Sequence, residues 1–366
     1  MNISADVSPG NILIRADASP EIGTGHIMRC LALAQAWQDA GGEATFLMAQ
    51  STPSIEARLA AENCKVIPVS ALSGGNEDAD LTNKSASRTE AEWLIVDGYA
   101  FGTRYQEQLR NHERKLLCVD DAGKCDHYVA DIVLNQNLTA SEKDYPHCRP
   151  GTQLLLGPSF CLLRREFGPW RKWRRKSSGM GHNVLVTLGG STPVDVGVHV
   201  MESLGRAKIE GLRAIFVVGG SSMGVAALEA CSAKLPEYIS LRRDVSNMAE
   251  LMGWADLAIS AAGSTCWELC LLGLPSILLD VADNQIPIAI ELERRGCALY
   301  LGNGNCVSQH DMANSVENLL ASQETRQSMS RHSRQLVDGL GAVRAVSAMR
   351  GIVCASHSAD TRRATA

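Results

Sequence analysis

Apolar positions along this chain fall into short runs of buried-strand type, separated by stretches where they recur every three or four residues. The first run is Ile12-Leu13-Ile14. A polar, glycine-containing loop follows over residues 17–25, and then Ile27, Cys30, Leu31, Ala34 and Trp37 repeat at helical spacing. Gly41-Gly42 stops that helix, and residues 44–48 predict a second strand. A helix opening at Pro53, strands at 65–69, 93–97, 116–121 and 132–134, and a helix at 104–112 continue the alternation. Residues 72–87 read as a polar surface loop.

After Gly157-Pro158 the pattern is interrupted. Residues 169–181, PWRKWRRKSSGMG, are polar and basic, and fit a solvated linker; Arg171, Lys172, Arg174, Arg175 and Lys176 could alternatively attract an anionic partner. The alternation then restarts, with strands at 184–188, 214–218, 257–260 and 277–280. A helix at 265–272 ends at Gly273-Leu274-Pro275, and Asp283-Asn284-Gln285 opens another. Residues 311–350 read as mainly helical, and the tail 351–366 as disordered.

Strands alternating with helices imply parallel pairing, so the predicted class is α/β, with two Rossmann-like doubly wound domains facing a cleft. The boundaries expected are 1–168, a linker at 169–182, and 183–350. In such sheets ligands gather beyond the carboxyl ends of the strands. Those ends carry Asp17, Asp97, Tyr99, Asp120, Asp121 and Asn135, with ordinary turn chemistry the competing reading for Asp120 and Asp121.

Composition narrows the class. The 366 residues are 45% hydrophobic and 20% charged, as in globular proteins, and the net charge of −5 argues against a general nucleic-acid binder. Twelve cysteines show no C-x-x-C pair; Cys266 and Cys270 read as packing residues. The start, MNISADVSPG, has no basic segment followed by an apolar core, so no signal peptide is expected. No apolar stretch approaches the ~20 residues of a membrane span. A cytoplasmic, reducing location without stable membrane association is the expectation.

Two stretches carry candidate chemistry. Gly23-Thr24-Gly25-His26 joins a strand to a helix start, where glycines permit close approach and free N–H groups face an anion. It is neither a dinucleotide fingerprint nor a P-loop. The second is SAAGSTCWE, residues 260–268, whose small residues at a helix start suit a diphosphate. Glu268 lies one turn beyond Ser264 and could accept both ribose hydroxyls, or be a surface glutamate favoured by the helix dipole.

Together these stretches resemble a known family. IRADASPEIGTGHIMRCLALA, DGYAF, DDAGKCDHYVADIVLNQN, LLGPSFCLLRREF, VLVTLGG, ISAAGSTCWELCLLGLP and ADNQ are similar, in order and spacing, to the UDP-sugar hydrolases of pseudaminic acid synthesis, used in flagellin glycosylation. Those enzymes act on UDP-2,4-diacetamido-2,4,6-trideoxy-β-L-altropyranose and are similar in architecture to GT-B glycosyltransferases.

The resemblance implies a GT-B-like fold, the sugar on the N-terminal domain and UDP on the C-terminal one. It implies His26 as catalytic base with Tyr99 beside it, and Glu268 as the ribose grip. Asn284 and Gln285 would face the sugar or its phosphates, with Gly189, Gly190 and Ser191 near the diphosphate. Gly23, Gly25, Gly263 and Ser264 belong to the same anion-binding turns, and Arg15 falls in the best-matching stretch, as a substrate-binding candidate with a structural role as the alternative. Helix N-termini are expected after Gly190 and Gly263. The expected reaction is inverting attack by water at the anomeric carbon, with no cofactor and no metal. A UDP-sugar is the expected partner, nucleic acid is not, and a monomer is expected. A GT-B glycosyltransferase using a UDP-sugar donor is the alternative, and a catalytically idle binding module a further one.

Overall fold

The computed structural model describes residues 9–110, 114–121, 123, 125–176, 179–190, 192–219, 224–243 and 245–363, with side chains described as far as 352. Its first half is a seven-stranded, all-parallel sheet: β1 (Asn11–Ala16), β2 (Glu43–Met48), β3 (Lys65–Pro68), β4 (Ala91–Asp97), β5 (Lys115–Val119), β6 (Ile132–Asn135) and β7 (Gln153–Leu156), in the order β3-β2-β1-β4-β5-β6-β7. Its helices are α1 (Gly25–Asp39), α2 (Pro53–Ala61), α3 (Asn76–Arg88) and α4 (Thr103–Leu109).

The second half repeats the plan with six parallel strands: β8 (Asn183–Thr187), β9 (Arg213–Val218), β10 (Ile239–Arg243), β11 (Leu257–Ala261), β12 (Ser276–Asp280) and β13 (Ala298–Asn303). Their order is β10-β9-β8-β11-β12-β13. Helices α5 (Val194–Arg206), α6 (Val225–Ser232), α7 (Met248–Trp254), α8 (Thr265–Leu272), α9 (Ile286–Arg294), α10 (Gln309–Ala321), α11 (Gln323–Leu336) and α12 (Gly341–Arg363) follow.

Strands buried on both faces explain the unbroken apolar runs. Ile12 and Ile14 enter one core with α1, whereas Leu13 enters the core on the opposite face. Val184 and Val186 diverge from Leu185 in the same way. The strand order reverses between β1 and β4, and again between β8 and β11. The loops after these four strands are therefore the crevices where a doubly wound sheet binds ligand.

Several expectations are corrected. Residues 72–87 are not a loop: most of them form α3, whose buried stripe of Ala79, Thr82 and Ala86 is too small or polar to register in hydropathy. The basic segment is not a solvated linker throughout. Arg165–Arg171 form a 3-10 segment, and the Arg175 guanidinium donates to the carbonyls of Met252, Ala255 and Gly273 at the ends of α7 and α8.

The stretch 183–350 does not all stay with the second sheet. Ala342, Ala345, Val346 and Met349 of α12 pack into the first sheet's core against α1. The tail is not wholly irregular either, since the α12 backbone stays helical to Arg363. Strands β10 and β13 and helix α7 were not foreseen; the apolar positions of β10 and α7 are few and interrupted by polar residues. Among the described residues, no helix is long and apolar enough to cross a membrane. The described cysteines are all free thiols, with Cys266 and Cys270 buried in a core as packing residues.

Candidate functional site

Residues at i, i+3 and i+4 of α1 share one helix face, so His26, Arg29 and Cys30 all reach the end of β4. There they meet Asp97, which is fully buried. Asp97 Oδ1 lies 2.6 Å from His26 Nδ1. Arg29 donates to both carboxylate oxygens at 2.6 Å, and Cys30 Sγ donates to Oδ2 at 3.3 Å. Arg29 Nη1 also donates to Asp121 Oδ1 at 2.5 Å.

Burial alone would raise the Asp97 pKa, but the Arg29 guanidinium and His26 outweigh it and hold the carboxyl well below the usual range. An ionised carboxylate has only lone pairs to offer. The proton at the 2.6 Å contact therefore sits on His26 Nδ1. That tautomer leaves Nε2 with a lone pair, and Nε2 has no protein partner among the described residues. The His26 ring lines a small cavity of about 100 Å³, together with Tyr99, Phe101, Asp121 and Tyr128.

Tyr99 stands over this cavity. Its ring meets His26 edge to face, 5.3 Å between centroids. Its hydroxyl accepts from Asn284 Nδ2 at 2.9 Å and lies 3.5 Å from Asp121 Oδ2. Tyr99 is exposed rather than packed in a core, and the Asn284 contact ties the first sheet to the loop after β12.

The facing wall comes from the second sheet. Gly189 adopts φ +86°, a conformation a side chain resists, so the chain turns tightly after β8. A methyl group added at Gly190 would lie 3.7 Å from Thr24, and one at Gly25 would lie 3.6 Å from Ser264 Oγ. The two glycine turns are thus within contact distance of each other. Thr24 and Ser264 are the N-caps of α1 and α8, and neither side chain caps its own helix. At α1 the N–H groups ahead of Met28 have no helical acceptor, whereas at α8 the Cys266 and Trp267 N–H groups already donate to Gly263 O and Ser264 O.

Gln285 Oε1 accepts from the Val281 N–H at 3.0 Å, and its Nε2 lies 3.9 Å from where a Gly263 side chain would begin. The helix expected directly after Gly190 begins only at Val194, behind Pro193. Ser191 lies outside the described residues.

Two expected site residues behave differently. Arg15 is completely buried, donating to Asp78 at 2.9 and 3.2 Å and to Asp17 at 2.7 Å. It cannot touch a substrate; it neutralises carboxylates beneath the Asp17 loop. Gly23 serves its own turn, at φ +80° with its N–H donating to Ser19 O.

Glu268 faces the segment just ahead of the linker, with Arg164 Nη2 3.0 Å from its carboxylate. Burial pushes its pKa up to about 7, opposed by Arg164 and reinforced by Glu166. Glu166 also pairs with Arg58 of α2 at 2.6 Å, so alternating charges run from α2 through Glu166 and Arg164 to Glu268 of α8.

Sequence reasoning placed Asp97 at a strand end without giving it a partner, and passed over Arg29 and Arg164. Arg29 was within reach, three residues beyond His26 on a predicted helix. Arg164 has no such signal, because its partner lies 104 positions away. Among the described residues, no group of three or more His, Cys, Asp or Glu is arranged to hold a metal ion.

The fold defines the class: two parallel-sheet α/β domains of GT-B type, with the site where their switch points face. Residues 184–342 match the glycosyltransferase family 28 C-terminal domain. The chain is similar to the spore coat polysaccharide biosynthesis protein SpsG of Bacillus subtilis, 24% identical over 93% of this chain and 97% of the relative. It is also similar to the UDP-2,4-diacetamido-2,4,6-trideoxy-beta-L-altropyranose hydrolase of Campylobacter jejuni, 26% identical over 78% of this chain and 97% of that one. Its fold matches Acinetobacter baumannii MurG with a TM-score of 0.63 at 16% identity, covering 94% of this chain and 99% of that structure.

Proposed function

We propose that this chain is a hydrolase releasing UDP from a UDP-linked sugar, with UDP-2,4-diacetamido-2,4,6-trideoxy-β-L-altropyranose as the substrate, in pseudaminic acid synthesis. The observation that carries the reading is the His26–Asp97 pair, which leaves one imidazole nitrogen without a protein partner on a residue that lines a small cavity at the ends of β4 and β5. The similarity to the Campylobacter hydrolase supports the substrate class.

In this mechanism His26 Nε2 takes a proton from water as the water oxygen attacks the anomeric carbon. The bond from that carbon to the diphosphate oxygen breaks, its electron pair leaves with UDP, and configuration inverts. Asp97 fixes the tautomer and stabilises the imidazolium that forms. Tyr99 orients the water or an acetamido group.

The diphosphate gains charge as it leaves. The N-terminal dipoles of α1 and α8 and the backbone at Gly189, Gly190 and Gly263 receive it. Asn284 and Gln285 border the sugar and phosphates. Glu268, paired with Arg164 at 3.0 Å, accepts the ribose hydroxyls. The first sheet's domain thus holds the sugar and the second holds UDP.

Incubating the purified chain with UDP-linked sugars and following UDP release tests the proposal. Release that depends on His26 and needs no acceptor is expected. A second reading, transfer of the sugar to an acceptor alcohol, is favoured by the glycosyltransferase family 28 match. It predicts release only when an acceptor is present. Activity lost to a chelator and restored by Mg²⁺ would overturn the metal-free mechanism.

A further inference from the structure

Behind the site, where the linker crosses α11, lies an open concavity of about 690 Å³. Residues 327, 330, 331 and 334 recur at helical spacing, so one face of α11 forms a wall. The linker supplies the other wall through Arg171, Lys172 and Arg174, and α11 adds Arg331 and Arg334.

No ion pair between described residues engages any of these five cations. The concavity's one carboxylate, Asp338, is committed to Arg344 at 2.5 Å. Three guanidiniums have structural duties: Arg175 holds carbonyls at the ends of α7 and α8, Arg334 donates to Leu271 O and Arg171 O, and Arg171 Nε donates to Asp338 O at 3.1 Å. Burial and the neighbouring Arg174 both push Arg334 below the usual arginine range, as expected of crowded like charges. A chain whose net charge is −5 therefore gathers an excess of positive charge into one hollow, the same five cations against the single carboxylate Asp338.

We propose that this hollow is a second anion site, binding a small, multiply charged phosphorylated molecule and separate from the cleft holding the nucleotide sugar. Its volume suits a small ligand. Forked guanidiniums on facing walls match phosphate oxygens at several points at once. A lipid surface fits less well. The site is concave, and the exposed large apolar side chains Ile22, Leu72, Tyr99, Met180, Ile290 and Val343 lie outside its lining.

The test is calorimetric titration of the full chain with inorganic triphosphate, with UDP present in saturating amount to occupy the cleft. One site is expected, with affinity falling as salt rises. Arg174→Gln combined with Arg331→Gln should weaken binding at least tenfold. Arg174 donates only to nearby backbone carbonyls, and Arg331 is exposed, so the fold should hold; an unchanged thermal melt verifies this. Lys172→Gln alone, at another exposed position, should weaken binding about threefold.

No binding, binding unchanged in the double variant, or binding abolished by UDP would overturn the proposal. So would Arg174- and Arg331-dependent flotation with vesicles of anionic phospholipid when triphosphate itself does not bind.

Discussion

The two walls of the cleft are built on opposite electrostatic plans. The first sheet's wall is a closed network, in which Asp97 is compensated by Arg29 and His26 and held in the charged form. The second sheet's wall is mostly backbone, with small residues, two glycine turns and an uncapped helix start. Its half-buried carboxylate one turn into α8, Glu268, is under-compensated, and burial carries its pKa up to about 7. A group that must hold one proton in one place needs a rigid, satisfied surround. A surface that receives an anion can leave its donors open until the anion arrives.

Breaking the closed network should have the largest effect. Asp97→Asn takes the fully buried one of Arg29's two carboxylate partners, leaving only Asp121, and should cost about 3 kcal/mol of stability, read by denaturant unfolding. It should also remove most turnover, because His26 loses its fixed tautomer. The Asp97 carboxyl titrates below the usual range, so its contribution is complete above the unfolded carboxylate pKa and is lost as pH falls. The variant should therefore show a flatter acid limb than the parent. Equal stability in both chains at neutral pH would refute the network reading.

His26→Asn should lower UDP release by about 10²- to 10⁴-fold while leaving the thermal melt nearly unchanged. A folded variant with near-parental rate would remove His26 from the chemistry.

On the open wall, Glu268→Gln should change a slope. The folded chain retains a proton on Glu268 up to about pH 7, whereas an ordinary glutamate loses it near 4.5. The carboxylate thus makes stability fall as pH rises between those values, by about 3 kcal/mol at most. The variant should lack that decline when the two melting curves are compared across pH. An identical slope would mean that Arg164 compensates Glu268 fully.

Tyr99→Phe should have the smallest effect. It removes the hydroxyl that accepts from Asn284 across the cleft, worth about 0.5–1.5 kcal/mol, and should appear as a modest rise in KM for the UDP-sugar. No change in KM would assign Tyr99 to the first wall alone.

How much of this was legible in the chain differs between the walls. The glycine turns at 23–25, 189–190 and 263 were visible because positive φ and close approach select glycine locally. His26 was visible because it stands on such a turn. Arg15 was left between substrate binding and a structural role for an equally local reason, since it sits in the same stretch as the anion loop. Only the register of β1 beside α3 shows that its side chain turns inward to Asp78.

The amino-acid order by itself determined the alternation of strand and helix, the two-domain plan and the position of the turns. These follow from periods of two and 3.6 residues and from glycine conformation, which act over a few neighbours. Tertiary structure alone decided that Asp97 meets His26 from 71 positions away, that Arg164 engages Glu268, and that α12 returns to the first sheet. Such pairings depend on how distant segments pack, and charge at close range matters only once packing has excluded water.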